Sequence, residues 1–487
     1  MATVKLLNHH IRTPFVFLLL SEFALLFSSV YIGFFLRFDF VSWQPEDIHG
    51  LPLKAVVFAF TMLLSMVAMG QYQTPGNMGR HILPYTILRV SISLVLGTIG
   101  LVLVYYVFPD SLIGRGITAY ALAAAIVGIT FLRVLLFRMI DGKTLRKKIL
   151  VLGVGKLAAD IIQFDDVVEE SDRSEGIDYR ARTLSPRYAS YVIHGFVDTG
   201  GEETKVPEMY IVKPGERLVA YCLEYEIDEI VVAIGDRRKK VPVDDLLDCK
   251  LTNIEVLEYM AFWEKEKGLL RTDMLNPSWL IFCDGCRQGS FESFFCRLFD
   301  IFASLFILSF MLPFLIITAF LIWVENRFSG PLFYRQERIG YNGRPFQLLK
   351  FRSMVVDAER DGKAQWASKN DARITFVGRF IRKIRIDELP QLINILKGDM
   401  SMVGPRPERS EFVATLSNKL PFYSTRHRVK PGLAGWAQLK YPYGADEQDA
   451  NNKLQYDLYY VKNHSILMDM LILLQTVEVV LFGKGAR

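Results

Sequence analysis

The chain has 487 residues, of which 51% are hydrophobic and 22% charged, with a mean hydropathy of +0.22 and a formal net charge of +5. It is too long for one ordinary core and too apolar for a soluble enzyme, so several domains and a membrane are expected. The small net charge hides a segregation: residues 1–150 carry 13 basic and 6 acidic side chains, residues 151–290 carry 17 and 27, and residues 325–440 carry 22 and 11. A basic module beside an acidic one points to an anion or an anionic surface as the basic module's partner. The 5 cysteines form no repeated framework, which excludes a secreted disulfide scaffold.

Four apolar stretches open the chain, Pro14–Leu36, Leu51–Gly70, Val90–Phe108 and Ile117–Ile140. Each is close to the ~20 residues a helix needs to cross the hydrocarbon of a bilayer, so four transmembrane helices are predicted. The first carries Glu22 and ends at Arg37 without a small-residue cleavage site, unlike a signal peptide. Lys5, Arg12, Arg80 and Arg89 flank the first three helices, and Arg133, Arg138, Lys143, Arg146, Lys147 and Lys148 close the fourth. This bias places both ends of the bundle in the cytoplasm, with Arg89 and Arg133 near enough to helix ends to snorkel.

Next comes Lys147-Lys-Ile-Leu-Val-Leu-Gly153-Val-Gly155-Lys-Leu-Ala158, a hydrophobic strand running into Gly-x-Gly-x-x-Ala. Further strand-like runs at Val192–Val197 and Glu229–Ile234 alternate with helical stretches, which predicts a Rossmann-like parallel sheet over 144–290. Gly153, Gly155 and Ala158 are candidates for holding NAD or a nucleotide; the competing reading is a spacer whose glycines serve only strand-to-helix packing. Two features favour the spacer. Asp198, at the end of the next clear strand, lies about twice the usual ~20 residues beyond the glycines. None of the 21 tyrosines has a lysine four positions later, so the Tyr-x-x-x-Lys pair of sugar-nucleotide dehydratases and epimerases is missing. Cys283 and Cys286, with Cys296 nearby, resemble half of a zinc site, but a lone Cys-x-x-Cys without a second pair is more often incidental.

Leu298–Val324 is a fifth run of spanning length, but Arg297 precedes it and Arg327, Arg335, Arg338, Arg344, Lys350 and Arg352 follow. Positive charge at both ends suits a segment that enters and leaves one face, with Pro313 as the natural break. A re-entrant helix is therefore expected.

The basic module then concentrates unusual combinations. These are Lys350-Phe-Arg352-Ser-Met, Arg382-Lys-Ile-Arg385-Ile-Asp387-Glu388-Leu-Pro-Gln, Gly404-Pro405-Arg406-Pro407, Pro431-Gly-Leu-Ala-Gly-Trp436-Ala-Gln and Tyr456-Asp457. Arginine and lysine bind phosphate oxygens, and carboxylates hold Mg²⁺ that bridges phosphates, so this module reads as a phosphate-handling site. A helix opening at Asp387 would favour anions, and adjacent carboxylates on it would diverge by about 100°, leaving one to attack phosphorus and one to ligate metal. The competing reading has Asp387 and Glu388 merely cap a helix and offset nearby arginines.

Taken together, these motifs make residues from about 291 onward resemble the bacterial sugar transferases, the polyprenyl-phosphate hexose-1-phosphate transferases of the monotopic phosphoglycosyl transferase superfamily. The four-helix start and Rossmann-like middle resemble the large members of that group, the undecaprenyl-phosphate glucose and galactose phosphotransferases. Tyr441-Pro-Tyr-Gly and Phe482-Gly-Lys-Gly-Ala-Arg are similar to the exosortase-associated exopolysaccharide branch. The resemblance implies a four-helix membrane bundle (1–143), a cytoplasmic Rossmann-like α/β domain (144–290) and a mainly α-helical monotopic catalytic domain (291–487) with a re-entrant membrane helix. It implies transfer of hexose 1-phosphate from UDP-glucose or UDP-galactose to undecaprenyl phosphate at the cytoplasmic face of the inner membrane. UMP is released and exopolysaccharide or O-antigen-type assembly begins.

By the same resemblance Asp387 is the nucleophile that carries the sugar-phosphate, and Glu388, with Asp387, binds Mg²⁺. Lys350 and Asp457 are required, and Arg352, Arg382, Arg385, Pro405, Arg406 and Pro407 contact nucleotide or phosphate. The bilayer and downstream glycosyltransferases are the expected partners and nucleic acid is not; a homodimer stays open. The rival readings are an NAD-dependent sugar-nucleotide modifying enzyme centred on Gly153–Ala158 and a non-catalytic scaffold of a polysaccharide secretion system. Residues Ile466–Phe482 would lie along the interface as an amphipathic helix or pack as a core helix.

Overall fold

A computed structural model describes residues 3–6, 9–38, 50–69, 82–139, 147–162, 191–200, 202–215, 217–235, 241–275, 290–327, 330–355, 373–441 and 446–481. The chain forms two compact units, with residues 268–487 in the second.

Two short strands, β1 (Thr3–Leu6) and β2 (His9–Arg12), precede four long apolar helices that belong to the first unit except for Met66–Ala68. These are α1 (Thr13–Arg37), α2 (Leu51–Ala68), α3 (Ile82–Val107) and α4 (Arg115–Met139). All four are long and apolar enough to cross a membrane. Helices α1 and α4 run antiparallel: a Cβ at Gly33 would lie 2.6 Å from the Ile117 carbonyl, and one at Gly128 would lie 2.8 Å from Leu25 Cδ2. Small residues at both crossings let the backbones approach closely. Beyond the Leu25–Gly128 contact Arg133 Nε meets Glu22 Oε1 at 2.6 Å and Arg133 Nη2 meets Oε2 at 3.2 Å, with Glu22 fully buried and Arg133 nearly so. Arg133 therefore does not snorkel, contrary to expectation, because a partner charge inside the bundle replaces water. The side chain of Arg89 lies outside the described residues.

The same unit holds a five-stranded, all-parallel sheet. Its strands are β3 (Lys147–Leu152), β4 (Tyr191–Val197), β5 (Ile211–Val212), β6 (Glu229–Val232) and β7 (Glu255–Glu258), in the order β5-β4-β3-β6-β7. Helices α5 (Leu218–Glu224), α6 (Val243–Leu251) and α7 (Tyr259–Lys267) lie between or after these strands. Central strand β3 is fully buried from Ile149 to Leu152, as a sheet covered on both faces requires. The predicted parallel α/β sheet is present.

The second unit takes in the chain from Gly268 onward. Its first residues dock on it: Trp436 Nε1 donates to the Gly268 carbonyl at 2.8 Å, and Leu270 N donates to the Gln455 carbonyl at 3.0 Å. Helix α8 (Ser290–Glu325) is 36 residues long and continues through Pro313. Proline removes only one donor, so the hydrogen-bonded helix runs on past it as a single element. Hairpin β8 (Phe333–Ile339) and β9 (Pro345–Phe351) follows, turning through Asn342 and Gly343 at positive φ. Then come α9 (Phe376–Lys383), α10 (Gln391–Lys397), β10 (Ser401–Val403), α11 (Ser410–Lys419), β11 (Gly432–Ala434), α12 (Trp436–Lys440), α13 (Glu447–Asn463) and α14 (Ile466–Leu481). Strands β10 and β11 pair in parallel. Met468 and Ile472 bury one face of α14, so this helix packs into the unit.

Both ends of α8 grip this unit. Near its start, Arg297 donates to the Ile395 and Leu396 carbonyls at the end of α10, and Asp300 Oδ1 accepts from Met402 N at 2.9 Å. Near its end, Ile322 packs with Phe351 and Ile381, and Glu325 Oε1 accepts from Val377 N at 3.1 Å. Much of the intervening surface, including Phe302, Phe306, Phe310, Ile316 and Phe320, is exposed. Among the described residues five helices are long and apolar enough to span a bilayer, and α8 is the fifth.

Candidate functional site

The site is assembled by three short segments of the second unit. The first is the end of β9, which delivers Lys350 and Phe351. Asn394 on α10 fixes it: its Oδ1 accepts from Leu349 N at 3.0 Å and its Nδ2 donates to the Gln347 carbonyl at 2.8 Å. Arg297 satisfies the last carbonyls of α10, where a cation suits both the orphan acceptors and the helix dipole.

The second segment carries the carboxylates. Arg385 adopts the left-handed conformation (φ 60°), and a 3-10 turn at Ile386–Glu388 follows directly. Asp387 and Glu388 therefore precede α10 instead of lying in its first turn, because the helix starts only after Pro390. In a three-residue turn adjacent side chains diverge by about 120°, a wider split than the α-helical expectation. Both are buried.

The third segment is Gly404–Glu408. A Cβ at Gly432 would sit 2.0 Å from Gly404 N, so glycine at this crossing of β10 and β11 is a steric requirement. Gly404 N donates to the Ala434 carbonyl at 2.9 Å and Gly432 N to the Pro405 carbonyl at 3.0 Å. Pro405 and Pro407 are buried on either side of half-buried Arg406, and the Pro407 carbonyl accepts from Arg338 Nη1 at 3.1 Å. The prolines thus aim Arg406.

These segments bring Lys350, Arg385, Asp387, Glu388 and Arg406 together. Lys350 Nζ lies 3.1 Å and Arg406 Nη2 2.7 Å from Glu388 Oε1, and Arg385 Nη1 lies 3.5 Å from Oε2. Burial pulls the Glu388 carboxyl upward, but Arg406, Lys350 and Arg385 together hold it well below the usual carboxylate range. Asp387 goes the other way. Burial and then the Glu388 charge push it up to about 6, against Lys350, Arg382 and Arg385. Burial also lowers the Lys350 ammonium, opposed by Glu388. Neighbouring carboxylates held apart in this way can divide roles, one permanently charged and one poised near neutrality. Arg382 acts on Asp387 through its charge. Half-buried Arg352 lies two residues beyond Lys350, and its Nε is buried with no hydrogen-bond partner among the described residues.

Asp457 stands behind this group. Its Oδ2 lies 2.8 Å from Arg426 Nη2, which also donates to the Arg406 carbonyl at 2.9 Å, while Arg426 Nη1 donates to Tyr423 Oη at 2.8 Å. Burial pushes Asp457 up to about 6 despite Arg426. It reaches Glu388 only through Arg426 and Arg406. Arg426, Tyr423 and Asn394 were missed from the sequence: Arg426 lies in Thr425-Arg-His-Arg428, which reads as a solvated basic run, and its burial was the missing signal.

The glycine-rich turn of the first unit has a different occupant. Gly153 has φ +121° and a Cβ there would lie 2.4 Å from the Ala233 carbonyl; a Cβ at Gly155 would lie 2.4 Å from Glu202 Oε2. Glu202 Oε1 accepts from Gly235 N at 2.7 Å, so a carboxylate fills the space before the turn, and Ala158 is buried behind it. Asp198 Oδ1 closes a local turn by accepting from Gly200 N at 2.8 Å. Cys283, Cys286 and the segments 442–445 and 482–487 lie outside the described residues.

Comparison with known proteins bears on the second unit most. A model of the family described as "Bacterial sugar transferase" matches residues 291–483. The chain is similar to the UDP-N-acetylgalactosamine-undecaprenyl-phosphate N-acetylgalactosaminephosphotransferase of Aeromonas hydrophila, at 41% identity over 50% of this chain and 56% of that protein. It is similar to the UDP-glucose:undecaprenyl-phosphate glucose-1-phosphate transferase of Klebsiella pneumoniae, at 39% identity over 61% of this chain and 64% of that protein. It is 40% identical to an uncharacterized sugar transferase of Bacillus subtilis over 39% of this chain and 89% of that protein. The matched stretch thus spans little more than half of the Aeromonas relative but almost all of the Bacillus one. By sequence and by the segments that build its site, this chain belongs to the bacterial sugar transferase family.

Proposed function

We propose that the chain is a phosphoglycosyl transferase that moves a sugar 1-phosphate from a UDP-sugar to undecaprenyl phosphate in two displacements. An Asp387 oxygen attacks the β-phosphorus, the bond from that phosphorus to the bridging oxygen breaks, and UMP leaves. The polyprenyl phosphate oxygen then attacks the same phosphorus and the bond to Asp387 breaks, regenerating the carboxylate. The observation that carries this reading is the pairing of Glu388, held charged by Arg406, Lys350 and Arg385, with Asp387 poised at about 6. A carboxylate with that value is largely ionised at neutral pH yet more basic, and so more nucleophilic, than an ordinary aspartate.

The hard oxygen donors of Asp387 and Glu388 fit Mg²⁺: Lys350 and Arg406 occupy Glu388 Oε1, while the 3.5 Å contact to Arg385 leaves acceptor capacity on Oε2. Bound there, Mg²⁺ would neutralise phosphate charge. Arg406, Arg382 and Arg385 meet the diphosphate, Arg352 offers its unpartnered Nε, and Pro405 and Pro407 fix Arg406. Asp457 is a positioning residue.

The membrane arrangement follows from α8. One polar unit grips residues 297–304 and 315–325, whereas a helix crossing straight through a bilayer would put those ends on opposite faces. This supports a re-entrant α8 whose exposed phenylalanines sit in lipid, with the site at headgroup level on the cytoplasmic face. UMP release by the purified full-length chain from a panel of UDP-sugars, with undecaprenyl phosphate as acceptor, tests the reading and names the sugar. No release from UDP-glucose, UDP-galactose or their N-acetylated counterparts would sink it.

A further inference from the structure

Cys296 near the start of α8, His464 at the end of α13 and Asp469 in the first turn of α14 converge. A ligand atom from each lies within 4.8 Å of the other two. We propose that these three side chains hold a zinc-class divalent ion that ties the start of the membrane helix to the joint between the last two helices.

The donor chemistry selects the ion. A thiol, an imidazole and a carboxylate form a mixed sulfur, nitrogen and oxygen set that suits Zn²⁺ and disfavours the hard Mg²⁺ expected at Asp387 and Glu388. With ordinary zinc bond lengths the donors of a tetrahedral site stand roughly 3.3–3.8 Å apart, so the observed spacing needs a contraction of only about 1 Å. The geometry around the donors is already organised. Asp469 is buried; its Oδ2 faces His464 Nε2 at 3.2 Å and its Oδ1 accepts from Tyr460 Oη at 2.8 Å. Such an outer hydrogen bond is what fixes a ligating carboxylate in metal sites. The Tyr460 ring packs edge-on against His464 with centroids 5.1 Å apart, limiting imidazole rotation. Cys296 and Asp469 also line a small, mostly apolar cavity with Asp300, Met402 and Ile466. Three protein donors with one open position is a familiar zinc pattern.

The site recruits Cys296 away from the half-motif suggested by Cys283 and Cys286. It also has a mechanical meaning, because Arg297 and Asp300, one and four residues along α8, hold α10 and β10. An ion at Cys296 would brace the helix end that carries both.

The test uses the full-length chain in detergent with Cys283→Ser and Cys286→Ser, loaded with Zn²⁺ and desalted. Metal content is measured by mass spectrometry, and the rate of maleimide alkylation at Cys296 is followed by peptide mapping. The expected result is about one zinc per chain, with alkylation of Cys296 slowed at least about tenfold by the metal because a coordinated thiolate is no longer free to react. Co²⁺ loading should give a thiolate-to-cobalt charge-transfer band that Cys296→Ser removes, and His464→Ala should restore fast alkylation in the presence of Zn²⁺. Absence of retained zinc overturns the proposal, as does equal zinc retention in Cys296→Ser or alkylation indifferent to Zn²⁺. The alkylation readout leaves the three ligands unmutated, so it decides the matter even if a variant fails to fold.

Discussion

Arg406 Nη2 lies 2.7 Å from Glu388 Oε1, while the Arg406 carbonyl accepts from Arg426, which is itself clamped at 2.8 Å by Asp457. A buried carboxylate on α13 thereby sets the position of a cation that keeps Glu388 charged. Asp457→Asn should strand Arg426 as an uncompensated buried charge, a loss of about 3–5 kcal/mol. Thermal unfolding checks the stability. Turnover in the folded fraction should show a raised KM for the UDP-sugar, since Arg406 and not the nucleophile is displaced; a purely structural role would leave KM unchanged.

The pH profile should follow Asp387. With its carboxyl pushed up to about 6, transfer is expected to be level near neutrality and to fall about tenfold per unit below pH 6 as the nucleophile takes a proton. An acid limb placed near 4 would contradict this. Lys350→Met removes a cation that lowers Asp387, so the limb should move to higher pH, with a loss of about 10- to 1000-fold in kcat from the missing electrostatic support.

A raised carboxyl pKa has a stability consequence of fixed sign. Between its unfolded value near 4 and its folded value near 6, the folded chain binds more protons at Asp387, so stability from this group is present at low pH and lost as pH rises through 6. Asp387→Asn should therefore unfold at a higher temperature than the parent at pH 7.5. The gain is at most about 3 kcal/mol and shrinks below pH 6. Equal melting curves at pH 7.5 would count against the raised value.

In the membrane bundle, Arg133 Nε lies 2.6 Å from Glu22 Oε1, with both side chains buried inside apolar helices. Arg133→Leu alone should leave Glu22 buried without its cation and cost about 3–5 kcal/mol. The double change Glu22→Leu with Arg133→Leu should recover most of that, because two apolar side chains need no partner. Detergent-resistant yield and melting temperature of the three variants read this directly.

How much of this was legible beforehand depends on sequence distance. Lys350, Asp387, Glu388 and Arg406 stand in short, unusual motifs, and they do meet in space. Three strands of the parallel sheet, β3, β4 and β6, were visible as apolar runs such as Ile149–Leu152, whereas β5 and β7 were not. Contacts between distant, ordinary-looking residues were not legible. Arg426 looked like a surface charge, Asn394 like any helix residue, and Glu202 gave no sign that its carboxylate would occupy the turn at Gly155. The helix expected to open at Asp387 starts only after Pro390, because Arg385 at positive φ leads Asp387 into a 3-10 turn first. Pro313 falls inside one continuous helical element, α8, because a single missing donor does not end it.

The central claim is that Asp387 carries the sugar-phosphate. Incubating the full-length chain with a UDP-sugar labelled at the β-phosphate, without lipid acceptor, and quenching in acid tests it most directly. The account predicts label on the protein, mapped to the peptide containing Asp387, chased by undecaprenyl phosphate and absent from Asp387→Asn. Label retained by that variant, or normal UMP release without any labelled protein in the parent, would contradict it.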